Sequence, residues 1–206
     1  MLSRTPVTRP CVPRLFCLVS AADELHLLED LALAGVTGFQ VRDKHATTRE
    51  LVELTRLVLA AVWPAGATVI VDDRLDVALA AGADGVHLGA TDMSVADARR
   101  VAPGLVIGAT CRDAAAVERA AADGATYAGF GPVFNTSSKS GLPDPLGVEA
   151  IRGATGVLPL IAIGGIDAVG ARQCRDAGAH GVAVIGALWR PPDPLSAAKE
   201  LVQAVG

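Results

Sequence analysis

Aromatic side chains are nearly missing from this chain. Phe, Trp and Tyr make up 3% of its 206 residues, with a single Tyr. Packing therefore falls to Ala, Val, Leu and Gly within an apolar fraction of 51%, which suits close helix-on-sheet layers. No apolar run reaches the roughly 18 residues that a membrane-crossing helix needs. Positive charge is not in excess either: the formal net charge is −4, which leaves no basic footprint for nucleic acid. Cysteine is sparse, and Cys11, Cys17, Cys111 and Cys174 lack the close pairs of a metal site. Free thiols in a reducing cytoplasm are the simplest account, and only Cys111, near an expected strand end, is placed for a catalytic thiol. Residues Met1 to Pro10 are basic in character but carry no apolar core with a small-residue cleavage site after it. Residues 1–13 are thus expected to form a disordered leader, and 14–206 one domain around one core.

What is present is a regular alternation. Short continuous apolar runs open at Arg14, Gly38, Ala67, Gly85, Leu105, Tyr127, Leu160 and Gly181. Each reads as a buried parallel strand. Between them lie helical patterns with start and stop signals. Asp23, Thr47 or Thr48, Ser94, Asp113 and Asp167 stand as caps, and Asp73 reads as one too. Gly35 and Gly82 stand as stops. Pro194 to Val205 closes the chain as a helix. A weak repeat runs through Ala-Gly-Val-Thr-Gly-Phe (34–39), Ala-Gly-Ala-Asp-Gly-Val (81–86), Asp-Gly-Ala-Thr-Tyr-Ala (123–128) and Ala-Gly-Ala-His-Gly-Val (177–182). Each precedes an even-numbered strand, and in each the first Gly can end a helix in the left-handed conformation. This pattern predicts an α/β fold: a single-domain (β/α)8 TIM barrel with parallel strands.

In such a barrel the site lies at the C-terminal ends of the strands, and polar residues collect there. The second strand delivers Gln40, Arg42 and Lys44. The third delivers Asp72, Asp73 and Arg74; Asp92 follows the fourth, and Thr110 and Arg112 the fifth. The sixth breaks at Gly131-Pro132 into a loop with Thr136, Ser137, Ser138 and Lys139, whose hydroxyls, backbone N–H groups and ammonium suit phosphate. Gly164-Gly165 and Ile185-Gly186 end the last two strands, where barrels often bind phosphate. Asp73 and Asp92 sit on adjacent loops, and Mg²⁺ commonly takes one or two carboxylates with water and phosphate oxygens. The rim predicts two anionic groups, one near Mg²⁺ and one at the glycines. Singly, Asp73 reads as a helix cap, Asp92 as a turn residue and His87 as a barrel-layer residue. His26, His45 and His180 read as surface or loop positions.

Several segments together resemble thiamine phosphate synthase, within the superfamily that also holds the thiazole tautomerases. They are Gln40-Val-Arg-Asp-Lys44, Val71-Asp-Asp-Arg-Leu-Asp-Val-Ala-Leu79, Gly82 to Gly89 with Asp92, Gly129 to Lys139, Ala162-Ile-Gly-Gly-Ile166 and Gly181-Val-Ala-Val184. The resemblance implies a transferase that joins hydroxymethylpyrimidine pyrophosphate to a thiazole phosphate and releases pyrophosphate. It implies that Gln40, Arg42 and Lys44 hold the pyrophosphate and that Asp73 and Asp92 hold Mg²⁺. Thr136, Ser138, Gly165, Ile185 and Gly186 would receive the thiazole phosphate, and Lys139 would touch the leaving pyrophosphate. Its partners would be these small molecules, with no nucleic acid and no membrane; self-association stays open.

Three positions depart from the family's pattern. Asp72 stands where an Asn usually reads the aminopyrimidine, and an ionised Asp only accepts. Thr110-Cys111-Arg112 replaces a usual Ser-x-His. Gly186 replaces a Ser that often helps bind the thiazole phosphate. Two other readings stand beside the synthase. One is a tautomerase-like isomerase or a paralogue acting on a related heterocycle. The other is a non-catalytic binder of precursors. Retained Asp92, and Pro132 where tautomerases place a His, favour the transferase.

Overall fold

The computed structural model describes residues 12–136, 141 and 143–206. Its strands are β1 Leu15–Val19, β2 Gly38–Val41, β3 Thr68–Asp72, β4 Gly85–Leu88, β5 Val106–Cys111, β6 Tyr127–Phe130, β7 Leu160–Ile163 and β8 Gly181–Val184. All pair in parallel with their sequence neighbours, and β8 pairs with β1, so the eight strands close into a barrel in chain order. The helices are α1 Leu28–Leu33, α2 Thr48–Val62, α3 Leu75–Ala81, α4 Val95–Val101, α5 Ala114–Ala122, α6 Glu149–Arg152, α7 Ala168–Asp176, α8 Gly186–Trp189 and α9 Pro194–Val205. Among the described residues, no helix is long and apolar enough to cross a membrane.

Side-chain parity divides the core in two, because successive strand residues face opposite ways. Outward residues such as Val69, Val71, Ile107, Phe130 and Val182 join the helices in one large buried layer. In α2 that layer takes Leu51, Leu54, Thr55, Val58 and Val62, a helical stripe three and four residues apart. Inward residues form a separate cluster of Phe16, Leu18, Ile70, Val106, Tyr127, Ile161 and Ala183. Of the few aromatics, Phe16 and Tyr127 lie inside the barrel, while Phe39 and Phe130 face the helices. The two inner rings stack with centroids 5.6 Å apart. Inward glycines make the room: a Cβ at Gly38 would lie 2.6 Å from the Phe16 ring, and one at Gly108 would lie 2.2 Å from Tyr127 Cζ.

The expected punctuation is largely present. Thr47 caps α2 with Glu50 in a reciprocal capping box. Ser94, Asp113 and Asp167 accept from backbone N–H groups at the starts of α4, α5 and α7. The repeated glycines Gly35, Gly82, Gly124 and Gly178 all have left-handed φ, from 77° to 108°, so each quarter of the barrel reverses the same way.

Four expectations need correction. Asp23 does not cap α1; its carboxylate accepts from the Ser20 N–H at 2.7 Å and hydroxyl at 2.8 Å. The segment after it forms a 3-10 turn at Leu25–Leu27 before α1 begins. Strand β5 starts one residue later than expected and runs on to Cys111. The sequence pattern also missed α8, which turns the chain directly after β8. At the lower end Val12 is buried, and its carbonyl accepts from His180 Nε2 at 2.8 Å, so this last stretch of the expected leader packs against the barrel.

Gly108→Ala tests the inner packing. Its Cβ has no space beside Tyr127 and His87, so urea unfolding should show a loss of about 1–3 kcal/mol. An unchanged midpoint would mean that the barrel interior yields.

Candidate active site

A cavity of about 480 Å³ opens at the C-terminal ends of the strands. Parity explains its floor. Gln40, Asp72, His87 and Thr110 share the inward face with Ile70 and Gly108, each two residues further along its strand or paired beside one. The inner hydrophobic cluster thus gives way to polar groups as the strands end.

On the β2–β3 side the cavity carries charge. Asp72 Oδ1 accepts from Gln40 Nε2 at 2.6 Å. Asp72 Oδ2 lies 3.1 Å from Arg42 Nε and 3.7 Å from Lys44 Nζ. The carboxylate that departs from the family pattern therefore gathers three of the expected pyrophosphate ligands. Lys44 also pairs with Asp73. Asp73 is the one non-glycine residue of positive φ among those described, at 62°, a conformation that costs on the order of 1 kcal/mol. Its N–H donates to His87 O at 2.7 Å, and the next N–H, of Arg74, donates to Asp72 O at 2.7 Å. Asp73 is not a helix cap: Arg74 precedes α3, and no side chain caps that helix. Arg74 turns away from the cavity and binds Asp76 and Thr48.

Asp92 sits beside this pole rather than in the cavity wall. Its Oδ2 accepts from the Gly89 N–H at 2.7 Å, and Gly89 does line the cavity. Its turn role and a ligating role are compatible, since the bond uses one oxygen. Among the described residues no cluster of three or more metal-ligating side chains occurs. The donors on hand are two hard carboxylates on adjacent loops, and that chemistry fits Mg²⁺ completed by water and phosphate oxygens.

The β6–β8 side is built from backbone. Gly164 and Gly165 have φ of 99° and 66°, and a Cβ at Gly165 would lie 2.2 Å from Asn135 O. The loop after β6 presses directly on this pair, with Phe134 N–H donating to Gly164 O at 3.0 Å. Thr136, Ile185 and Gly186 line the same corner. Ser138 and Lys139 lie outside the described residues, as does Ser137.

Arg112 is not among the residues lining the cavity. Its guanidinium donates to Gly131 O at 3.1 Å and to Asp144 O at 2.9 Å, strapping two loops together. Cys111 is also out of place for chemistry. It faces the helix layer, where burial first and then the Asp113 charge push its thiol up to about 11.

His87, Tyr127 and Arg190 also line the cavity, though the sequence did not point to them as site residues. His87 bridges Tyr127 and Thr110, and both His87 and Tyr127 reach the cavity. Strand parity alone would have put His87 in line with Asp72 and Thr110. Arg190 is the third. It stands one helical turn after Gly186, and a Cβ at Gly186 would lie 2.9 Å from its Nε. The signal was the spacing of a glycine and an arginine four apart after the last strand.

Residues 12–188 match the family described as thiamine monophosphate synthase. The chain belongs to that family. It is similar to the thiamine-phosphate synthase of Methanoculleus marisnigri, with 46% identity over 82% of each chain. It is 42% identical to that of Agrobacterium fabrum over 93% of each. Among solved structures, thiamine phosphate pyrophosphorylase from Pyrococcus furiosus superposes with a TM-score of 0.84 at 34% identity, covering 93% of this chain and 95% of that one. Two 3-hexulose-6-phosphate synthases, at 21% and 18% identity, share the barrel alone.

If Cys111 is inert as its surroundings require, iodoacetamide at pH 8 should leave its peptide unmodified in the folded protein and label it once urea is added. Rapid labelling of the folded protein would contradict the burial.

Proposed function

We propose that the protein is a thiamine-phosphate synthase. One observation carries the reading: a single cavity joins a cation–carboxylate pole on β2–β3 to a glycine-lined pole on β6–β8. Two poles suit two phosphorylated substrates that must meet.

In this reading Gln40, Arg42 and Lys44 hold the pyrophosphate of hydroxymethylpyrimidine pyrophosphate, and Asp72 and Thr110 face its pyrimidine. The thiazole phosphate lies against Thr136, Ser138, Gly165, Ile185 and Gly186, with Arg190 above Gly186. Asp73 and Asp92 are the residues that would hold Mg²⁺, which as a Lewis acid supplies further stabilisation of phosphate charge when bound. Lys44 also pairs with Asp73. A pyrophosphate carries more negative charge than one carboxylate, so it would compete with Asp73 for the Lys44 ammonium.

The reaction then needs little from acids or bases. The bond between the pyrimidine methylene carbon and the pyrophosphate oxygen breaks, and its electron pair leaves on oxygen. Arg42, Lys44 and Lys139 stabilise that charge as it forms. The thiazole nitrogen gives its lone pair to the methylene carbon, and the new carbon–nitrogen bond completes thiamine phosphate. No proton moves. Alignment of the two substrates by the two poles supplies much of the remaining acceleration. A cytoplasmic setting belongs to the same proposal; Cys17, Cys111 and Cys174 are free thiols, as a reducing compartment would keep them.

The variants Asp73→Asn and Lys139→Ala should each lower kcat by roughly 100-fold or more with Tm unchanged. Full rates in both would show that the site is wrongly assigned. Arg190→Gln should raise KM for the thiazole phosphate about tenfold and leave KM for the pyrimidine pyrophosphate as it was. Equal effects on both substrates would remove Arg190 from the phosphate corner.

A further inference from the structure

The cavity floor holds a line of hydrogen bonds that the chemistry above does not use. Tyr127 is 1% exposed inside the barrel, and its hydroxyl lies 3.1 Å from His87 Nδ1. On the other side of the imidazole, Nε2 lies 3.0 Å from Thr110 Oγ1. Two glycines fix the ring between them. A Cβ at Gly108 would stand 2.5 Å from Nδ1, and one at Gly129 would stand 2.6 Å from Cε1. The phenol and imidazole rings also stack, with centroids 5.6 Å apart. Thr110, at the other end of the line, is exposed to the cavity.

The direction of these bonds follows from counting donors. A buried hydroxyl proton left without an acceptor is costly. Among the described residues the hydrogen-bond partner of the Tyr127 hydroxyl is His87, so Tyr127 donates to Nδ1. Burial, and then the charge of Asp72, hold the phenol above its ordinary range, which keeps that proton in place. With Nδ1 accepting, the neutral ring carries its own proton on Nε2. Nε2–H then donates to Thr110 Oγ1, and the Thr110 proton is directed into the cavity.

We propose that Tyr127 and His87 are positioning residues that fix Thr110 as a hydrogen-bond donor to a ring nitrogen of the bound pyrimidine. This deepens the synthase reading and rests on it for the identity of the ligand. Asp72 supplies the opposite half of the pattern. It pairs in register with His87, which pairs with Gly108 on β5, so Asp72 and Thr110 stand on the strands that flank β4. Backbones two strands apart are separated by roughly 10 Å, enough for a six-membered ring with a hydrogen bond at either edge. Asp72, which only accepts when ionised, takes the exocyclic amino N–H; Thr110 donates to a ring nitrogen. An acceptor on β3 and a locked donor on β5 together read an aminopyrimidine, without the Asn that usually stands at position 72.

The test uses binding and spectra, so it survives a failure of turnover. Affinities of the purified protein are measured for hydroxymethylpyrimidine pyrophosphate and for the two pyridine analogues that replace one or the other ring nitrogen with CH. Wild-type protein should bind one analogue roughly tenfold or more weakly than the pyrimidine, because it leaves the Thr110 donor unpaired. Thr110→Val should erase that difference. Tyr127→Phe should shrink it severalfold, since the phenol that donates to His87 Nδ1 is then gone. The ¹⁵N shifts of His87 should report the Nε2–H tautomer in the wild type and a mixture in Tyr127→Phe. Three results would overturn the proposal: an Nδ1–H tautomer in the wild type, equal wild-type affinity for all three ligands, or variants that weaken all three equally. Should Tyr127→Phe fail to fold, the wild-type tautomer and Thr110→Val decide the question. Loss of synthase turnover with this binding pattern intact would strike the reaction and spare the positioning.

Discussion

The carboxylate of Asp72 is the point on which the charged half of the site depends. It stands at the inward end of β3, where the packed barrel interior gives way to the cavity, and both its oxygens are engaged. Oδ1 takes the Gln40 amide at 2.6 Å, and Oδ2 lies within reach of Arg42 and Lys44. The Asp72 and Arg42 side chains are 11% and 22% exposed, so solvent screens this pair only in part. Two cations are thereby held in place before any phosphate arrives, which removes part of the ordering cost of binding. The same negative charge is felt by Tyr127 below it. Asp72 thus links the cation pole to the Tyr127–His87–Thr110 line of hydrogen bonds.

Around that point the fold divides its work by parity. Inward positions alternate bulky side chains with glycines, so Phe16 and Tyr127 fit across Gly38 and Gly108. One level higher the same parity carries Gln40, Asp72, His87 and Thr110. Outward positions are apolar and meet the helices. Backbone strain is confined to the rim: Asp73 holds a left-handed φ, while Gly164 and Gly165 allow the loop after β6 to approach closely. Such strain persists where surrounding contacts over-determine it, and it is common at functional sites.

Much of this was legible in the chain because local chemistry and global fold agree. The strands at Gly85 and Leu160 and the helix from Pro194 to Val205 occupy the expected residues. The glycine repeat marks helix ends in each quarter. The polar rim was legible as residue types at strand ends, and the structure brings Gln40, Arg42, Lys44, Asp72, Asp73, Thr110, Thr136, Gly165, Ile185 and Gly186 around one cavity. The misses share a physical origin. Arg112 looked like a site cation, yet its direction is set by two backbone carbonyls that only tertiary contact supplies. Asp73 looked like a cap, yet its left-handed φ passes the helix start to Arg74. His87 was read as a layer residue, which it is. Its second role needs the register with Gly108 and Gly129, which no single segment reveals. Ser138 and Lys139 lie outside the described residues.

The central claim is that one cavity holds two phosphorylated substrates and joins them. The direct measurement incubates the purified protein with Mg²⁺, hydroxymethylpyrimidine pyrophosphate and thiazole phosphate, and follows pyrophosphate and thiamine phosphate in the same samples. The account expects the two products to appear together in equal amounts. Pyrophosphate without thiamine phosphate, or neither product from protein that binds both ligands, would contradict it.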